Sequence, residues 1–200
     1  MHKTNGIFCL EGLWNNNIKR HSSINPILVL LTLNENVKNI YHDCGTKEEL
    51  EFFIKKWKTK SVKKEFPILY LAFHGSEGCL KINEKVQCSL TELAIMMGEE
   101  CQGTLVLFGS CSTLRFDSRR VQTFLKKTNC FAALGYREEV DWMESTAFEL
   151  LLLDALKEAN FDTKGRSTLD KEIKSKTGSL RKKHGFRIVF NHDHFARKRK

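Results

Sequence analysis

The apolar residues of this chain fall into two kinds of pattern. Short, nearly unbroken runs closed by turn residues occur at "GIFCLEG" (6–12), "PILVLLTLN" (26–34), "FPILYLAF" (66–73), "GTLVLFGSC" (103–111) and "CFAALGY" (130–136). Runs of that length and closure suit strands buried on both faces. "NIYHDC" (39–44) and "FRIVFN" (186–191) read as two further strands. The second pattern is helical. In "TKEELEFFIKKWK" (46–58), Leu50, Phe53, Ile54 and Trp57 form one stripe, and Thr46 with Glu49 makes a capping box at its start. Ser89 and Glu92 make another before "LTELAIMMGEE". Helices are predicted at about 117–127 (Val121, Phe124 and Leu125 inward), over 143–159, and at about 168–183 with Leu169, Ile173 and Leu180 on one side.

Strands alternating with helices imply an α/β fold with a mostly parallel sheet covered on both faces. "GCLKINEKVQCS" (78–89) alternates around Asn83-Glu84-Lys85 and reads as a small hairpin inserted after the third strand. Two hundred residues without a repeat or dividing linker suit a single domain, here 1–191, followed by a basic C-terminal tail at 192–200.

Charge changes this picture in one place. Residues 164–200 carry thirteen Lys and Arg against three acids, so this segment holds +10, while residues 1–163 sum to −1. A basic segment of this kind serves nucleic acid, anionic lipid or an acidic protein surface, or is a solvated helix face with a frayed "ARKRK" end. The absence of an aromatic stacking platform in the run favours the solvated face. The longest purely apolar runs are about five residues, against the roughly 18 to 20 that a membrane span needs. The first residues lack a signal-peptide profile. Seven cysteines with no CxxC pair indicate neither a disulfide framework nor a zinc ribbon, and reduced thiols point to the cytoplasm. His192 and His194 lack a spaced partner for a metal site and read as terminal surface.

Candidate chemistry lies at two strand ends. The run 66–73 stops at His74-Gly75, and the run 103–108 stops at Gly109-Ser110-Cys111-Ser112. In open α/β sheets ligands bind at the carboxyl ends of strands. The 37 positions from His74 to Cys111 hold a hairpin and a crossover helix, which suits neighbouring parallel strands and places both residues over one crevice. An imidazole beside a thiol can take its proton and release the nucleophilic thiolate. The backbone N–H groups of Gly75 and Cys111 are candidate oxyanion donors. The bland alternative is a buried cysteine near a core histidine.

The pair of motifs, hydrophobic block then His-Gly and hydrophobic block then Cys, resembles the caspase, gingipain and separase clan of cysteine peptidases. Ser110-Cys111-Ser112-Thr113 is similar to the CHAT-type (caspase-like) bacterial members, as are "LAFHGSEGCLKINEKVQCSLTEL" and "ALGYREEVDWMESTAFELLLLDAL"; the resemblance covers residues 60–160. It implies a three-layer α/β/α sandwich and a cysteine endopeptidase acting on protein or peptide substrates, with Cys111 as nucleophile and His74 as base. No metal or organic cofactor is implied. By family analogy it also suggests a separately encoded activating partner, in a prokaryotic defence setting. The caspase signature Gln-Ala-Cys-Arg-Gly is absent, and no arginine pocket for aspartate maps onto the chain. Clan members that cleave after basic residues carry an acid in the S1 pocket, and the loop with Asp141, Trp142 and Glu144 is placed to supply one. Asp141 and Glu144 also have capping-box spacing. The other class of function left open is an inert caspase-like scaffold that binds nucleic acid or a partner protein through the basic segment.

Overall fold

The parallel strands and their crossovers follow one another along the chain. The computed structural model describes residues 4–15, 19, 22–115 and 117–196. Residues 16–18, 20 and 21 of the first polar loop and 197–200 of the tail lie outside the described residues. In chain order the elements are β1 (Ile7–Glu11), α1 (Asn25–Glu35), β2 (Asn39–Asp43), α2 (Lys47–Trp57), α3 (Lys60–Glu65), β3 (Ile68–Ala72), β4 (His74–Ser76), β5 (Cys79–Lys81) and β6 (Gln87–Ser89). They continue as α4 (Leu90–Met97), β7 (Leu105–Gly109), α5 (Ser118–Thr128), β8 (Ala132–Tyr136), α6 (Trp142–Leu156), α7 (Gly165–Thr177), α8 (Leu180–Lys183), β9 (Phe186–Phe190) and α9 (Asp193–Ala196). The main sheet has the order β2-β1-β3-β7-β8-β9, parallel except for β9.

Alternation along the strands divides the core. Phe8, Leu10, Leu69, Leu71, Val106 and Phe108 pack against α2, α4 and α5. Ile7, Cys9, Ile68, Tyr70, Leu105 and Leu107 pack against α1, α6 and α7. The result is an α/β/α sandwich, as expected. Both capping boxes form: Thr46 and Ser89 each accept from the backbone three residues on, and Glu49 and Glu92 reach back. All seven cysteines are free thiols. No helix of the described residues is long and apolar enough to cross a membrane.

The run 26–34 is a helix, not the expected strand. Its buried residues Ile27, Leu28 and Leu31, with Ile24 just before, have helical spacing, while Val29, Leu30 and Leu33 face outward. β1 and β2 are parallel neighbours, and a parallel pair needs a crossover, which here is this helix. Pro26 in the first turn and left-handed Asn36 at the end were the local signals. The helix expected at 168–183 begins earlier and breaks at Gly178, whose positive φ ends α7 before α8. The short helix α3 gave no periodic signal. The hairpin gains a third strand, because His74–Ser76 pairs with β5, so His74 opens a strand instead of a loop. Within the expected tail, 193–196 form α9, and His194 Nε2 lies 3.1 Å from the Asn129 carbonyl.

Candidate active site

The sheet register sets the site. Ala72 of β3 pairs with Gly109 of β7. His74 and Cys111 each follow two residues later, so they leave the carboxyl edge of the sheet at one level on neighbouring strands. Both line a cleft of about 510 Å³ that also takes in Trp14, Gly75, Lys81 and Val140. His74 is exposed and Cys111 half-buried.

Gly75 is fixed by close approach. A Cβ there would lie 2.2 Å from the Cys111 carbonyl oxygen and 2.4 Å from Thr113 Oγ1. The missing side chain therefore lets β4 seat directly on the turn that carries Cys111. That turn is tight: Ser112 has a φ of 56°, in the left-handed region that non-glycine residues seldom enter. It is held from two sides. Ser112 N donates to Glu138 O at 3.1 Å and Leu114 N to Tyr136 O at 3.0 Å, while Gly78 N donates to Thr113 O at 3.3 Å. Ser110 and Thr113 share a hydroxyl bond of 2.8 Å.

A third group, which sequence reasoning missed, orients the histidine. His74 Nε2 lies 2.9 Å from the backbone carbonyl of Trp14, and the two rings meet edge-on at 5.1 Å. A carbonyl only accepts, so Nε2 carries the proton and Nδ1 is the basic nitrogen. Cys111 Sγ lies 4.0 Å from the Val140 carbonyl. The bonds of His74 and Cys111 run to Trp14 and Val140, not to each other.

Trp14 is itself anchored. Glu11, 1% exposed at the end of β1, accepts from the Trp14 indole, from Ser23 Oγ at 2.6 Å, from Ile24 N at 2.8 Å and from Tyr41 OH at 2.5 Å. One carboxylate thus ties both ends of the loop between β1 and α1 to the sheet edge. Desolvation first, then the bonds to Asp43 and Glu11, push the Tyr41 hydroxyl pKa well up, against a lowering contribution from Ser23.

The specificity candidates are placed as follows. Asp141 is the N-cap of α6 and accepts from Glu144 N at 3.0 Å. Glu144 pairs with Lys183 at 2.7 Å on the surface. Trp142 meets Trp14 edge-on at 4.5 Å and walls a second, smaller pocket behind Cys111. That pocket contains an acid the sequence reading passed over. Glu149, buried on α6, accepts from Tyr136 OH at 2.9 Å and from Tyr70 OH. Burial pushes its pKa up to about 7, against the lowering effect of the two tyrosine donors. A lone carboxylate in "FELLLL" was the available signal.

This architecture, with its sheet edge carrying His74 and Cys111, defines a caspase-like α/β domain. Caspase-1 from Spodoptera frugiperda superposes with a TM-score of 0.53 at 17% identity, over 88% of this chain and 77% of that chain, a likeness of fold. The chain belongs to a family of unknown function, DUF6642, whose model matches residues 4–190. No curated protein matches it by sequence.

Proposed function

We propose that this chain is a cysteine endopeptidase with Cys111 as nucleophile and His74 as base. The observation that supports it best is the register: Ala72 opposite Gly109, with His74 and Cys111 each two residues beyond and lining one cleft. In this reading the Cys111 proton passes to His74 Nδ1 as Sγ attacks the peptide carbonyl, forming a C–S bond. Backbone N–H groups of Gly75 and Cys111 receive the developing oxyanion. Collapse breaks the C–N bond, and His74 returns its proton to the departing amine. Water, deprotonated by His74, then hydrolyses the thioester and restores the thiol.

The finer parts of the reading rest on resemblance. They are kinship with CHAT-type domains through Ser110–Thr113, a separately encoded activating partner, and a role in prokaryotic defence. Asp141, Trp142 and Glu144 remain proposed contributors to substrate binding. Of these, Trp142 has direct support as a pocket wall. The test is covalent labelling by a peptidyl acyloxymethyl ketone, with the modified residue located by mass spectrometry. Labelling at Cys111 that is lost in Cys111→Ala and strongly slowed in His74→Ala is the expected result. An unlabelled chain that binds nucleic acid with a steep salt dependence would favour the scaffold reading instead.

A further inference from the structure

We propose that the pocket behind Cys111 receives one cationic side chain of the substrate, a lysine or arginine next to the bond attacked, and that Glu149 selects it. The inference rests on the reading of Cys111 as the nucleophile. The pocket holds about 170 Å³. That is below the roughly 300 Å³ at which small-molecule sites begin, so it has room for a side chain and little more. It starts at His74, Ser110 and Cys111 and is walled by the aromatic rings of Trp14, Phe73, Tyr136 and Trp142. Among the described residues that line it, Glu149 is the one carboxylate.

Aromatic walls with a single carboxylate are the chemistry of cation recognition. Aromatic rings attract a positive charge, and the carboxylate supplies the counter-charge. Tyr136 and Tyr70 each donate to a different oxygen of Glu149, which orients the group and leaves lone pairs on both oxygens. Gly109 keeps the approach open. A Cβ at that position would come 2.6 Å from the Tyr70 ring and 3.2 Å from Glu149 Oε1. An acidic side chain would meet like charge here, and an apolar one would seal the carboxylate, bonded only to its two tyrosines, away from water without a counter-charge. The acids expected in the loop before α6 differ in this respect: Asp141 is occupied as its N-cap, and Glu144, in the first turn of α6 instead of the loop, is paired with Lys183.

Peptidyl acyloxymethyl ketones that differ only at P1 (Lys, Arg, norleucine, Asp) test this on the whole chain, with the rate of Cys111 modification as readout. The Lys and Arg probes should react at least roughly thirtyfold faster than norleucine, the size expected for a desolvated charge pair. In Glu149→Gln the Lys-to-norleucine ratio should collapse towards one. Should that variant be recovered unfolded, the wild-type protein still decides the matter: n-butylguanidinium should slow labelling by the norleucine probe, whereas n-butanol should not. Equal labelling by Lys and norleucine, an unchanged ratio in folded Glu149→Gln, or no protection by the cation overturns the inference and leaves the peptidase reading standing. Labelling of Cys111 by none of the probes overturns both.

Discussion

Replacing Glu149 by Gln should change the pH dependence of stability in a defined direction. The folded-state pKa of Glu149 is pushed up from an ordinary 4.5 to about 7. For a group raised in this way, the stabilising contribution is fully present below the unfolded value, near 4.5, and is lost as pH rises through about 7. A shift of this size corresponds to roughly 3 kcal/mol, most of which falls between about pH 5 and pH 8. His74 and Cys111 line the same pocket and are present in both proteins, so the comparison of variant with parent isolates Glu149. Tyr70 on β3, Tyr136 on β8 and Cys9 on β1 all have pKa values pushed well up by burial, so they stay neutral through that window. Glu11 adds repulsion in the same direction. The glutamine side chain would lose part of the tyrosine bonding, about 1 kcal/mol per bond, but that loss does not depend on pH. Urea unfolding of both proteins at pH 5, 6, 7 and 8 isolates the effect. The variant should gain roughly 2 to 3 kcal/mol on the parent across the series. A difference that stays flat with pH would refute the buried, shifted carboxylate.

Gly75→Ala puts a methyl group onto the Cys111 carbonyl and Thr113 hydroxyl, so it should cost roughly 1 to 3 kcal/mol and strongly reduce probe labelling of Cys111. An unchanged labelling rate would mean that β4 does not set the geometry of the turn. Asp141→Ala should cost about 1 kcal/mol in thermal or urea unfolding while Asp141→Asn costs little, because asparagine caps as well as aspartate. Glu11→Gln keeps the size of the side chain but weakens its bonds to Trp14, Ser23, Ile24 and Tyr41. It should lower the rate of Cys111 modification and move its pH profile, since the Trp14 carbonyl then holds His74 less firmly. A profile that overlays the parent's would refute that positioning role.

What the sequence made legible follows from how each feature is encoded. Strands β1, β3, β7 and β8 are apolar runs with clear ends, and their order with the intervening helices led to a parallel sheet and to His74 beside Cys111. The run 26–34 misled because nine mostly apolar residues carry the same composition whether they form a strand or a helix covering one. Only the crossover between β1 and β2 decides for the helix. The Trp14 contact was not legible at all, since it is made by a backbone carbonyl and every residue has one. Gly75 was legible as a residue of interest, but the reason for it is packing against the Cys111 turn.

Glu11 and Glu149 show a different kind of legibility. They are the two buried carboxylates among the described residues. A carboxylate taken out of water costs several kcal/mol unless donors surround it, so a fold keeps one where the group is used. Both stand in apolar stretches, "IFCLE" and "FELLLL", where an acid breaks the pattern of the element. Both flank the same sheet edge: Glu11 holds the residue that orients His74, and Glu149 lines the pocket behind Cys111. Their donors are as informative as the acids. Glu11 is met by four groups from the two ends of one loop and from β2, an arrangement that fixes backbone. Glu149 is met by two tyrosines and keeps lone pairs towards a cavity, an arrangement that leaves room for a ligand.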